Sequence, residues 1–467
     1  MRASVLFLAA ALARFTQAVT PLVIKDAGFF SNDEQFFLVG VGYQPGGPVE
    51  LDQGVDPFSN LEGCQRDVYL LQQLGINTIR TYAVNTTLNH DACMSLFAAA
   101  GIYVVLDVNA PGWRYSVNRE EPWTSYHAGY MANIFSVMEQ FSPYPNVLGF
   151  FSGNELANEP KNANATAPYM RAIQRDMRQY QQAHKLREVP IGYSTADVVE
   201  FRQDLGFYLS CTGDDEGHSD FYGINSYEWC GDTTFEKSGY KTLTDLMKDV
   251  QMPNFFSEYG CNEVLPRTFG DANAIYSADM NTVFSGGIVY EFNQEANNYG
   301  LVDVDPKTGD AKILPDYVTL RDVYSKVSLP TGNTARKISR PKCSDVFPKI
   351  KAFDARAAIP QIDDITKLIK TGVKVTAGQL IDVDLDLTGH KWTITDVSGN
   401  QIQNPTITRV NTWNQVPQGA QTTGSNDSKE SKNAAVGTKV GGGHTALVFA
   451  MAGLTTLGML VGGLLVI

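Results

Sequence analysis

The chain lacks any excess of positive charge. Its 467 residues carry 37 Lys and Arg against 50 Asp and Glu, a net charge of −13. Such an acidic surface repels phosphate backbones, and no basic arm or stripe interrupts it, so nucleic acid is excluded as a partner. Histidine is scarce, with six scattered residues and neither a His-x-x-x-His pair nor a Cys-x-x-Cys. No metal site is therefore expected. A dinucleotide loop is missing too: Gly40 and Gly42 imitate its start, but Pro45 stands at the sixth position, where the third glycine is needed. No cofactor is expected. No cysteine follows Cys343, whereas hydrophobic residues, at 43%, are too many for a disordered chain.

Both ends carry processing signals. Arg2, the apolar run 5–13 and Thr16-Gln17-Ala18 read in order as a secretory signal over residues 1–18. At the other end, 445–467 is a run of 23 residues without a charge, preceded by a polar spacer, 436–444, and the small triplet Asn433-Ala434-Ala435. Small attachment site, spacer and apolar tail form the pattern of a GPI signal. A tail-anchored membrane helix is the alternative, but no basic residues follow the tail. Asn433 is the preferred attachment site, with Ser431 and Gly424 as rivals, and 434–467 is the propeptide removed. The expected location is the extracellular face of the plasma membrane, through a GPI anchor in its outer leaflet, or the cell wall. Secretion makes the six cysteines, 64, 93, 211, 230, 261 and 343, a set for three disulfides, with fifteen pairings open to spacing alone. Asn85, Asn164 and Asn426 head N-glycosylation sequons.

Between the ends, short β-branched and aromatic runs alternate with longer amphipathic stretches. Strands are expected at 36–44, 76–83, 103–109, 147–155, 189–197, 220–227, 254–260 and 287–294. Helices fill the gaps, among them 61–74, 87–100, 129–141, 168–184 and 242–250. Near-continuous apolar strands are those of a parallel sheet buried on both faces. Eight β-then-α units predict an α/β fold with a (β/α)8 TIM barrel over 19–345, with a doubly wound sheet as the alternative. Six of these strands end in acids or amides, and barrel enzymes build their sites at that rim. Residues 346–415 hold β-prone runs at 373–376 and 381–387 and read as a β-rich extension of a few hairpins, an accessory module or a layer packed on the barrel. Residues 416–433 read as a polar linker to the GPI site.

Glycosidic chemistry requires two carboxyl groups flanking one bond, an acid and a nucleophile or base. Glu155 follows Asn154 at the mouth of the fourth strand, and Glu258 stands at the mouth of the seventh, across a closed barrel. Glu159 competes with the first, and Glu263 and Glu291 with the second.

The stretches Phe150-Phe151-Ser152-Gly153-Asn154-Glu155 and Phe255-Phe256-Ser257-Glu258-Tyr259-Gly260-Cys261 resemble the fungal GPI-anchored β-1,3-glucanosyltransferases of glycoside hydrolase family 72. So do Gly40-Val41-Gly42-Tyr43-Gln44-Pro45-Gly46, Arg80-Thr81-Tyr82, Asn225-Ser226-Tyr227-Glu228-Trp229-Cys230 and Tyr290-Glu291-Phe292. The likeness covers roughly residues 20–345. It implies a retaining enzyme that cleaves internal β-1,3-glucan linkages and joins the new reducing end to another glucan, so that donor and acceptor glucans are its partners. It assigns acid/base to Glu155 and nucleophile to Glu258. Tyr82, Asn154 and Tyr290 would hold the donor, and Asp197 and Arg202 the acceptor. Gln44, Asp107 and Tyr227 would line the cleft. The implied disulfides are Cys64–Cys93, Cys211–Cys343 and Cys230–Cys261. The lack of cysteine after 343 matches the subgroup without a Cys-rich carbohydrate-binding module. An endo-β-1,3-glucanase would use the same carboxylates, and a non-catalytic glucan-binding wall protein would not require them.

Overall fold

Eight parallel strands close on themselves in a computed structural model of the chain, which describes residues 19–47, 56–111, 115–213 and 215–410. In chain order the barrel strands are Leu38–Gly42, Thr78–Thr81, Tyr103–Asp107, Val147–Asn154, Ile191–Ala196, Tyr222–Asn225, Asn254–Tyr259 and Phe284–Val289. Each pairs with the next, and the eighth returns to the first through Gly286↔Leu38 and Val289↔Val41. A helix follows every strand: Leu61–Leu74, Asp91–Ala99, Ala128–Phe141, Pro160–His184, Arg202–Ser210, Tyr240–Met247, Gly270–Ile275 and Pro315–Tyr324. This is the (β/α)8 barrel expected from the alternation, and it places the six acid- or amide-bearing strand ends at one opening.

Local signals set the helix ends. The Asn60 side chain accepts from the Gly63 amide to open the first helix, and Gly75, at φ 83°, closes it in the left-handed conformation. The helix expected from residue 168 begins at Pro160 instead, where Glu159 and Asn162 form a capping box. Pro168 lies within it. Asn164, exposed on this helix, accepts a hydrogen bond from the Asp354 amide at 2.8 Å.

An antiparallel ribbon of Val23–Lys25, Gly28–Ser31 and Glu34–Phe36 precedes the barrel. Its Phe29 and Phe36 join Val105, Phe151, Phe221, Phe255 and Ile288 in a core cluster of their own. Phe29 meets Phe221 at 5.8 Å and Phe255 at 5.9 Å between ring centroids. Since Phe221 and Phe255 stand at strand beginnings, the ribbon stops the end of the barrel opposite the polar opening. Gly192 makes room for this floor, because a Cβ there would lie 2.3 Å from the Phe221 ring.

Three disulfides join Cys64 to Cys93, Cys211 to Cys343 and Cys230 to Cys261. The first links two neighbouring helices, and the third links the loops after the sixth and seventh strands. The second fixes the point where the chain leaves the barrel.

The extension differs from the expected β-rich layer. Over 346–410 it carries the helix Asp363–Thr371 and one two-residue strand, Ile394–Thr395, paired in parallel with Ala311–Ile313. The runs 373–376 and 381–387 form no strand. Their alternation instead turns Val383, Leu385 and Leu387 onto the barrel's outer helices, while the Ile381 amide bonds the Ser95 hydroxyl at 2.8 Å. Period-two patterning records one buried face, and here a helix layer buries it rather than a sheet. Among the described residues no helix is long and apolar enough to cross a membrane. The signal, linker, propeptide, Asn426 and Asn433 lie outside the described residues.

Candidate active site

A buried cation organises the opening. Arg80, fully buried on the second strand, lies with its guanidinium 4.6 Å from the centroids of both Phe151 and Tyr82. It donates two bonds to Asp107, at 3.0 and 2.9 Å, one to Asn154 Oδ1 at 2.9 Å and one to Glu258 Oε1 at 3.1 Å. The surrounding carboxylates hold it charged. Sequence reasoning had assigned it no role. The available signal was an arginine within a strand otherwise free of charge, where a buried ionised side chain demands partners.

Asn225, also without an assigned role, links the two candidate carboxylates. Its Oδ1 accepts from Arg80 at 3.3 Å, Ser257 at 2.8 Å and Ser194 at 3.1 Å. Because the arginine can only donate, the amide orientation is fixed and Nδ2 faces outward. That nitrogen donates to Glu155 Oε1 at 2.7 Å and to Asn154 Oδ1 at 3.1 Å. Glu155 itself follows the fourth strand at φ 48°, with its amide on Ser194 O and its carbonyl receiving Arg119 Nε at 2.8 Å. A left-handed glutamate costs on the order of 1–3 kcal/mol, and here several bonds hold it there.

Glu258, 8% exposed, receives the Tyr227 hydroxyl on Oε2 at 2.7 Å. Burial pushes its carboxyl up to about 7; Arg80 pulls it down, the neighbouring Glu155 charge pushes it up, and the Tyr227 hydrogen bond pulls it down. Of the rivals, Glu159 caps a helix and meets Lys161, and Glu263 is exposed. Glu291 is buried, receives Asn297 Nδ2 at 2.8 Å and is pushed up to about 8 by burial.

Tyr82, Tyr290 and Tyr227 form an aromatic wall, with Tyr290 edge-on to Tyr82 at 6.1 Å and to Tyr227 at 6.5 Å. Gln44 stands behind it, its Oε1 accepting the amides of Tyr82 and Ala83 and its Nε2 bonding Ala83 O. Its amide thus holds the Tyr82 backbone. Beyond the fifth strand, Arg202 is ion-paired with Asp197 and reaches Glu228 Oε1 at 3.0 Å. Asp197 Oδ2 and Arg202 Nε are buried without partners among the described residues. Among the described residues, the metal-ligating types converge at Cys230, Cys261 and Glu263, but the two sulfurs form a disulfide.

The sequence matches the family model of glycoside hydrolase family 72, described as glucanosyltransferase, over residues 11–328. It is 42% identical to the 1,3-β-glucanosyltransferase GAS4 of Saccharomyces cerevisiae, across 83% of each chain. It is 40% identical to the 1,3-β-glucanosyltransferase gel2 of Aspergillus fumigatus, across 84% of this chain and 83% of that one. The fold is similar to that of Saccharomyces cerevisiae Gas2p, solved with laminaritetraose and laminaripentaose. The TM-score is 0.63 at 35% identity, covering 69% of this chain and 72% of that one. The chain belongs to the glucanosyltransferase family, glycoside hydrolase family 72.

Proposed function

We propose that the protein is a retaining 1,3-β-glucanosyltransferase that cleaves a β-1,3-glucan and transfers the new reducing end to another. The observation carrying this reading is the coupling of Glu155 and Glu258 through Asn225 and Arg80 at one opening. Glu258, as carboxylate, attacks the anomeric carbon, and the bond to the leaving oxygen breaks as Glu155 protonates that oxygen. Asn225 already occupies Oε1 of Glu155 as a donor, so the transferable proton belongs on Oε2. In the second half an acceptor hydroxyl gives its proton to Glu155 while its oxygen attacks the same carbon and frees Glu258. This double displacement uses neither metal nor cofactor.

The tyrosine wall supplies faces for donor sugar rings, and Asn154 supplies an amide for a hydroxyl. Gln44 and Asp107 act behind them, the first on Tyr82 and the second on Arg80. Asp197 and Arg202, with buried atoms unsatisfied toward the fifth strand end, belong to the acceptor side. The same reading takes 19–345 as the catalytic domain and 346–410 as its outer strap. It places the protein on the outer face of the plasma membrane or in the wall, with a GPI anchor at Asn433 and glycans on Asn85, Asn164 and Asn426.

Incubation with one defined laminari-oligosaccharide tests the function. Products longer than the substrate are expected, and Glu155→Gln or Glu258→Gln should lower turnover by about 10²–10⁴-fold or more. Exclusively shorter products would make the enzyme a hydrolase, and near-normal activity of either variant would overturn the roles.

A further inference from the structure

A cavity of about 350 Å³ lies between the ends of the second and third barrel strands and the helix Ala128–Phe141. Of the residues placed in the carboxylate network, only Asp107 lines it. Its volume falls within the about 300–1,000 Å³ of small-ligand sites. Asn85, Asn109, Asn133 and Tyr115 supply polar groups, facing an apolar wall that includes Ile134 and Val137.

Two polar atoms of the lining residues are buried without a partner among the described residues. One is the hydroxyl of Tyr130, a residue 1% exposed, and the other is Asn109 Oδ1. Buried groups of this kind are costly unless something completes them. The charge of Asp107 is already met by Arg80 through two bonds, so the cavity does not select an ion. Amides, phenols and an apolar wall suit a ring with C–H faces and a hydroxylated edge.

We propose that this cavity binds one neutral pyranose ring. Two sources can deliver it. The sequon Asn85-Thr86-Thr87 forms part of the lining, and Asn85 Oδ1 accepts from the Thr87 amide at 3.1 Å and its hydroxyl at 2.7 Å. With that oxygen engaged, Nδ2 is the atom that carries a glycan, and the first sugar on Asn85 would begin at the cavity. The other source is a glucosyl residue of bound glucan, which rests on the function proposed above.

Tyr130→Phe is the test variant, because its hydroxyl has no partner to lose among the described residues. In the purified glycoprotein, native endoglycosidase trimming of the Asn85 glycan should run about two- to tenfold faster in Tyr130→Phe if the glycan fills the cavity. In unglycosylated Asn85→Gln protein, methyl β-glucoside titrated by NMR should bind about two- to tenfold more weakly once Tyr130→Phe is added, if glucan fills it. Either change supports the pocket and names the source. Equal trimming rates together with equal affinities would overturn it and leave the cavity to water. Turnover of laminari-oligosaccharide by the wild type, measured in parallel, separates this failure from failure of the catalytic reading.

Discussion

Glu258 sits where an attacking carboxylate is costly to ionise, above an aromatic floor and with its carboxyl pushed up to about 7. An attacker must be ionised, so kcat/KM of the free enzyme should rise with pH through that value. The Tyr227 hydroxyl bonds the charged form and lowers the carboxyl's pKa. Its removal in Tyr227→Phe should move the acidic limb upward by about one pH unit, as loss of a charge-assisted hydrogen bond implies. A pH–rate profile checks this. A lowered plateau with an unmoved limb would instead make Tyr227 a substrate contact. Glu155 and Glu258 were legible in the sequence because each ends an apolar run on a polar residue. Arg80 and Asn225 were less so, since their importance comes from partners 27 to 178 positions away, and no local pattern records those.

All eight barrel strands were visible as short β-branched and aromatic runs, and the misplacements have specific causes. The eighth lies at Phe284–Val289 rather than 287–294. Gly286 and Gly287 dilute its apolar pattern, and Gly286, at φ 99°, approaches Leu38 so closely that a Cβ would meet its carbonyl oxygen at 2.1 Å. Pro168 suggested a helix start because proline is favoured in a first turn, but Pro160 holds that place. The ribbon escaped notice because its strands have three or four residues. Its signal was Asn32-Asp33, two positive-φ residues closing a two-residue hairpin between Ser31 and Glu34. The ribbon's contribution is open to measurement. Phe29→Ala removes a fully buried ring and should cost about 3–5 kcal/mol in denaturant unfolding. KM should stay unchanged, because the ring lies at the end opposite the carboxylates; an altered KM would show that the floor shapes the cleft.

Along its axis the barrel runs from aromatic floor to Arg80 to carboxylates, so its polarity is built lengthwise. The chain's course outside the barrel respects that axis. After the Cys211–Cys343 bridge, the strap crosses the outer helices and its last described residues settle at the closed end. There Thr408 bonds Gln72 and the Val410 amide bonds Ala99 O, both near helix C-termini that precede strand beginnings. The anchor beyond it is testable: phosphatidylinositol-specific phospholipase C should release the protein from membranes, and a chain truncated after Asn433 should appear in the medium. Membrane retention of that truncated chain would point to another attachment. Up to Val410 the strap therefore finishes on the stoppered side, at the end of the barrel away from the carboxylates. A polymer strand can then enter the opening without passing the strap's last described residues, so the layer that closes the fold leaves the carboxylate rim clear of its own end.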